Sequence, residues 1–245
     1  MYYVASNGDW RGIEMSVGKM KARLVEKKRL ESGFWWFDLE FEKEFEFEAG
    51  QYISVKVNEK GDRRAYSIAT APGGKRVGLL VDLSPGGIGS QFFEKLEVGE
   101  TVEILGPLGR FVIEDQASLG LLFVATGSGV APLRSMIEDL LKNKRFAGEV
   151  KLVWGLRFEK DVFWMKEFEE LEKKYKNFKF ELVLSKPGEG WQGKKGRVTD
   201  WIEKMKDVGG CEFYVCGSSE MVGDCVKRLV GKGVEEKKIH FEKYG

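Results

Sequence analysis

Up to about residue 115 the chain alternates apolar and polar positions in short runs: KMKARLVEKKRL, FWWFDLEFE, QYISVKVN, RAYSIATA, RVGLLVDLS and TVEILGP. A period of two sends successive side chains to opposite faces, so each run reads as a half-buried strand. Turn signals stand between them at Glu31-Ser32-Gly33, Glu59-Lys60-Gly61-Asp62 and Pro72-Gly73-Gly74. Short strands with turns at this spacing predict a small antiparallel β-barrel. The FWWF run at 34–37 is read as core and sheet surface.

After that point the rhythm changes. Strand LLFVA precedes helix PLRSMIEDLLKN, and strand VKLVWGL precedes a helix carrying Trp164, Phe168, Leu171 and Tyr175 on one stripe. Strand KFELVLS leads, through a Gly/Lys loop, to helix TDWIEKMK. Strand EFYVCG leads to helix SEMVGDCVKRLV, ended by Gly231, and KIHFEKY is a final strand. Alternating strands and helices predict a parallel, doubly wound α/β sheet covered on both faces. The boundary falls near residues 111–118. The expected organisation is a loosely ordered lead-in over 1–18, a barrel over 19–113 and an α/β domain over 114–245. An extra strand using Tyr2, Tyr3 and Val4 is the alternative for the lead-in.

Composition narrows the class. Lys+Arg 40 against Asp+Glu 39 gives a net charge of +1, no electrostatic footprint for nucleic acid. No apolar run approaches the ~20 residues that span a bilayer, so no membrane insertion is expected. The start lacks the order of a signal peptide. Three cysteines, odd in number and late in the chain, argue against a secreted disulfide framework and for a reducing, cytoplasmic location. Cys211, Cys216 and Cys225 lack a fourth partner for an iron–sulfur cluster, and the single histidine, His240, makes zinc improbable. No metal site is predicted, and His240 is read as structural or solvated.

Residues 121–134, LLFVATGSGVAPLR, carry the sharpest chemistry. An apolar strand runs into the glycine turn Gly127-Ser128-Gly129 and then into a helix opened by Pro132, a residue suited to the first helical position. Such a turn aims free backbone N–H groups and the positive end of the helix dipole at one spot, an anion site. A second glycine-rich approach to a helix, Gly86-Gly87-Ile88-Gly89-Ser90, precedes SQFFEKL, with Ser90 expected as the cap. On the strand Arg64-Ala65-Tyr66-Ser67 an arginine suits a phosphate, an aromatic ring suits a planar ligand, and a hydroxyl suits that ligand's edge. Strict alternation puts Arg64 and Tyr66 on one face and Ser67 on the other unless the strand bends. Two phosphate-type sites, one per domain, suggest two nucleotides.

Taken in order, these motifs resemble the ferredoxin–NADP reductase family over roughly residues 18–244. They are R-x-Y-S at Arg64 to Ser67, G-x-x-S at Gly87 to Ser90 and G-P-x-G at Gly106 to Gly109. T-G-T-G-x-A-P follows at Thr126 to Pro132, with Ser128 replacing a threonine, then Cys216-Gly217 and an acidic-x-aromatic ending at Glu242-Lys243-Tyr244. The resemblance implies FAD, with FMN the lesser candidate, and NADH or NADPH as hydride donor. Arg64, Ala65, Tyr66, Ser67, Gly87, Ile88, Gly89 and Ser90 would bind the flavin, and Thr126, Gly127, Ser128, Gly129 and Pro132 the nicotinamide nucleotide. Cys216 and Gly217 would sit beside the nicotinamide, and Tyr244 would cover the flavin. Ser67, Cys216, Glu242 and Tyr244 are the expected catalytic set. Hydride transfer stacks two flat rings in a water-poor slot, so positioning outweighs acid–base strength.

The resemblance further implies that electrons leave for an iron–sulfur or similar redox protein. Two alternatives are a free-flavin reductase and an electron-transfer subunit of a larger complex; the latter often carries a C-terminal cysteine cluster that these residues lack. For the nucleotide, the acids of Arg157-Phe158-Glu159-Lys160-Asp161 lean toward NADH, because a carboxylate accepts from ribose hydroxyls and repels a 2′-phosphate. Ser185-Lys186 and the basic loop Lys194-Lys195-Gly196-Arg197 lean toward NADPH. The balance expected is NADH with leakage to NADPH.

Overall fold

The computed structural model describes residues 18–114 and 120–244. The lead-in over 1–17 therefore lies outside the described residues, as do Gly245 and part of the predicted boundary.

The alternating runs form six antiparallel strands: β1 (Gly18–Arg29), β2 (Phe34–Phe41), β3 (Tyr52–Lys56), β4 (Arg63–Ser67), β5 (Arg76–Asp82) and β6 (Thr101–Leu108). Their order, β4-β3-β6-β1-β2-β5, leaves β4 and β5 as the two edges. An Ile68–Leu79 bridge and the bond from Ala69 N–H to the Gly78 carbonyl at 2.8 Å draw those edges together into a nearly closed barrel. Helix α1 (Ile88–Lys95) plugs it with the fully buried Phe93, whose ring meets Phe37 and Tyr66 at centroid distances of 4.7 Å each.

The second half is a parallel sheet of β7 (Gly120–Thr126), β8 (Glu149–Leu156), β9 (Phe178–Leu184), β10 (Lys194–Lys195), β11 (Cys211–Ser218) and β12 (Ile239–Tyr244). Helices α2 (Val130–Glu138) and α3 (Met165–Lys174) cover one face. Helices α4 (Val198–Lys204) and α5 (Ser219–Gly231) cover the other. The order β10-β9-β8-β7-β11-β12 reverses direction between β7 and β11. In open α/β sheets a ligand crevice lies at such a reversal, at the carboxyl ends of the strands. Thr126 and Cys216 stand at those two ends.

Three local expectations change. Pro132 is the third residue of α2, preceded by a 3-10 turn over Gly127–Gly129, because any first-turn N–H lacks an intrahelical partner and proline is tolerated there. Ser90 is the third residue of α1, not its cap; Gly87 holds that position and no side chain caps the helix. Helix α5 runs through Gly231, and the chain turns at Gly233, where φ is +87°. His240 is structural: it stacks on the buried Tyr214 at 4.6 Å and meets Glu212 at 3.2 Å.

The two halves share one core. Phe34, Ala49, Ala69, Leu80 and Phe111 of the first half pack in the same cluster as Phe123, Leu133, Met136, Trp154 and Tyr214 of the second.

Candidate active site

The site is assembled by strand ends. Strand β4 stops at Ser67, its last pairing partner being Tyr52, and Ile68 then crosses to β5. That crossover is the bend that lets Tyr66 and Ser67 line the same cleft despite their alternate facing. The cleft is about 360 Å³ and is also lined by Arg64, Ala65, Gly87, Ile88, Gly89 and Ser90. Gly89 is needed there, since a Cβ would lie 2.3 Å from the Tyr66 hydroxyl. A Cβ on Gly87 would meet nothing within 4 Å, so the glycine faces open space at the start of α1. With no side chain capping that helix, its first N–H groups are left for an anion.

A second pocket of about 450 Å³ opens across the carboxyl end of the parallel sheet. It gathers Thr126, Gly127, Arg157, Asp161, Ser185 and Lys186, all expected from the sequence. One turn separates the pockets: Gly127 lines the second, Ser128 the first. Helix α2 also starts without a side-chain cap, at Gly129. A Cβ on Gly129 would fall 2.4 Å from the Cys216 carbonyl oxygen, so only glycine lets the turn rest on the end of β11. Gly217 likewise makes room for Thr126, whose Oγ1 would be 2.3 Å from a Cβ there. Gly129, Pro132, Cys216 and Gly217 shape the crevice from beneath and line neither pocket.

In the first cleft, from residues 175 positions apart in the chain, Ser67 donates through Oγ to Glu242 Oε1 at 3.2 Å. Tyr244 donates through its hydroxyl to Ser67 Oγ at 2.6 Å. Register between β11 and β12 sets Glu242 beside Cys216. Glu242 is 5 % exposed, and burial pushes its carboxyl up to about 7 even though Ser67 pulls it down. Burial also raises the fully buried Cys216 thiol well above its usual value, and the charge of Glu242 adds to this. The Tyr244 phenol is raised for the same first reason. A thiol held protonated is no nucleophile, so the group offers a packed polar surface and one buried proton-binding carboxyl.

Some lining residues carried no motif. Tyr52 reaches the first cleft from β3, where burial and then Glu242 raise its phenol. Asp82 lies there too, while Thr199, Glu220 and Asp224 line the second pocket. Arg197 also lines it and was visible only as part of a basic loop. No group of His, Cys, Asp or Glu suited to a metal exists among the described residues.

Comparison with known proteins finds a family model for each half. Residues 21–113 match the model of the oxidoreductase FAD-binding domain, and residues 123–227 that of the oxidoreductase NAD-binding domain. The chain is 35% identical over 213 residues to ferredoxin–NADP reductase B of Sorangium cellulosum (strain So ce56), covering 82% of this chain and 87% of that one. It is 33% identical over 204 residues to the phenol 2-monooxygenase reductase component DmpP of Pseudomonas sp. (strain CF600), covering 81% of this chain and 58% of that one. It thus spans nearly all of the first relative but little more than half of the second. Among solved structures, the Amycolatopsis cytochrome P450 reductase GcoB superposes with a TM-score of 0.89 at 28% identity, over 97% of this chain and 73% of that one.

Proposed function

The chain belongs to the ferredoxin–NADP reductase family of FAD-dependent NAD(P)H oxidoreductases, and we propose that the electrons it takes from the nicotinamide nucleotide leave for a small iron–sulfur or similar redox protein. The observation that carries this reading is that the uncapped start of α1 borders one pocket while the Gly127–Gly129 turn ahead of α2 reaches both, Gly127 lining the second and Ser128 the first. FAD, when bound, supplies the acceptor for hydride and the outlet for single electrons. Arg64, Ser90 and the first turn of α1 would hold its phosphates, and Tyr66 and Ser67 would face its ring system. The turn Gly127–Gly129 would hold the nucleotide's pyrophosphate, with the buried Cys216 supporting the crevice from below. The choice of acceptor follows the relatives, which are named as a ferredoxin reductase and an oxygenase reductase component. We place the barrel at 19–113 and the nucleotide domain at 114–245.

No helix among the described residues is long and apolar enough to cross a membrane. Cys211, Cys216 and Cys225 are free thiols, which supports a reducing compartment, the cytoplasm.

The test is direct. Purified protein will be yellow with non-covalent FAD, and Arg64→Ala will retain it at least tenfold more weakly, because a charge-assisted phosphate contact is lost. A colourless protein that neither FAD nor FMN reconstitutes overturns the reading.

We further propose a preference for NADPH, against the lean toward NADH in the loop sequence. Asp161 Oδ2 accepts from the Phe158 N–H at 3.1 Å, and Glu159 Oε1 from the Gly188 N–H at 2.9 Å, so both loop acids are engaged by backbone. Arg157, Lys186 and Arg197 line the same pocket. These three cations suit a 2′-phosphate and outnumber Glu220 and Asp224, the two carboxylates of the pocket outside that loop. We therefore expect kcat/KM for NADPH to exceed that for NADH by fivefold or more, and Lys186→Glu to reverse the order. A parent chain that favours NADH refutes this assignment.

A further inference from the structure

The two pockets are joined by a short mechanical linkage, and we infer that Arg134 is the positioning residue that sets the distance between them. This rests on reading the pockets as flavin and nucleotide sites. Arg134 lies on α2, the helix that begins at the Gly127–Gly129 turn. Its Nη1 donates to the Ala69 carbonyl at 2.7 Å, two residues beyond Ser67 on the barrel chain. The next side chain, the fully buried Ser135, donates through Oγ to the Thr70 carbonyl at 2.6 Å. The helix that carries the nucleotide turn is thus pinned twice to the backbone that carries Ser67.

The guanidinium is itself held on every side. Nη2 pairs with Glu138 at 2.9 Å, with side-chain exposures of 15% and 10%. The guanidinium carbon lies 4.7 Å from the Trp164 ring centroid and 5.5 Å from that of Trp36. Trp36 comes from barrel strand β2, while Trp164 precedes α3, and the two rings meet edge-on at 5.5 Å. Trp36 fits only because position 78 is glycine, where a Cβ would lie 1.9 Å from its ring. Trp164 adopts φ +54°, a left-handed conformation rare for a bulky residue, which its surroundings must hold in place. Arginine alone provides a planar fork for the carbonyl and carboxylate together with flat faces for two indoles; lysine is a point charge. A misplacement of about 1 Å between reacting groups costs about a hundredfold in rate, so a linkage this stiff controls transfer without touching either ligand.

The experiment uses the full chain. In Arg134→Gln the limiting rate of flavin reduction at saturating nucleotide will fall at least tenfold, while nucleotide Kd stays within threefold; Arg134→Lys will recover part of the rate. Independently of activity, calorimetry of the flavin-free protein will show one unfolding transition in the parent and two in Arg134→Gln. If Arg134→Gln does not fold, Ser135→Ala removes a single pin and will lower the limiting rate at least threefold at unchanged Kd. An unchanged limiting rate in a folded variant overturns the inference, as does a loss confined to Kd. A parent chain that binds no flavin instead overturns the functional reading, and the calorimetric comparison alone then decides whether Arg134 clasps the halves together.

Discussion

Tyr244→Ser will bind oxidised nicotinamide nucleotide at least tenfold more tightly than the parent chain and will turn over more slowly. The ring is no frayed terminal residue. Strand pairing sets Tyr244 beside Ser218, its hydroxyl donates to Ser67 at 2.6 Å, and it interacts with the Cys216 thiol. It borders the cleft proposed for the flavin, next to Ser128, whose neighbour Gly127 faces the other pocket. A nicotinamide passing from one pocket to the other must displace it. That displacement costs aromatic stacking worth about 1 kcal/mol and a hydrogen bond worth about 1 kcal/mol, together on the order of 30-fold in affinity. Serine removes the ring and with it the cost, and the more tightly held product leaves more slowly. Titration of the oxidised protein, followed through a long-wavelength flavin–nicotinamide charge-transfer band, measures the effect. Identical affinity and spectra in variant and parent would show that Tyr244 gates nothing.

Ser67→Ala will lower the limiting rate of flavin reduction about 100-fold with little change in nucleotide affinity, as expected when an interaction of the reacting geometry is removed. Ser67 is the middle of a three-member relay. Its loss leaves Tyr244 with only the Cys216 thiol to bond, and Glu242 without the one bond that lowers its pKa. The carboxyl, already at about 7, moves higher. Glu242 also gives the apoprotein a pH signature. Burial raises its folded pKa to about 7 from 4.5, so the neutral form favours folding. The stability it contributes is full below about pH 4.5 and is lost as pH rises through 7, a difference of at most about 3 kcal/mol. Glu242→Gln keeps an acceptor for Ser67 and cannot ionise, so it will flatten this dependence. Denaturant melts at pH 5 and pH 8 compare the two, and equal slopes in variant and parent would count against a buried, titrating Glu242.

Much of this architecture is written in periodicity. The change from a period of two to alternating strands and helices separates barrel from parallel sheet, and both glycine turns announce themselves by composition. What periodicity misses is where a strand stops. Ser67 joins Tyr66 at one cleft because β4 ends there and the chain crosses to β5, a tertiary event with no local signal. The caps fail for a related reason: Ser90 and Pro132 both suit helix starts, yet each helix begins earlier, α1 at a glycine with no side-chain cap and α2 on a 3-10 turn of Gly127–Gly129. Cys216 stands in a recognisable motif, but only the register of β12 reveals that it is sealed beneath Tyr244 and Glu242. Arg134 is invisible in APLRS, where it reads as an ordinary helical cation; its partners Trp36, Ala69 and Trp164 come from distant parts of the chain.

The core shared by the two halves bears on how such proteins can be recombined. Phe34, Ala49, Ala69, Leu80 and Phe111 belong to the barrel in sequence but are buried against Leu133, Met136 and Trp154. A chimera spliced between β6 and β7, with its barrel taken from a relative, would set foreign side chains against α2 and open voids at the seam. Grafting those five positions along with the junction restores the fit, so the unit of exchange is the barrel together with its lining of that seam.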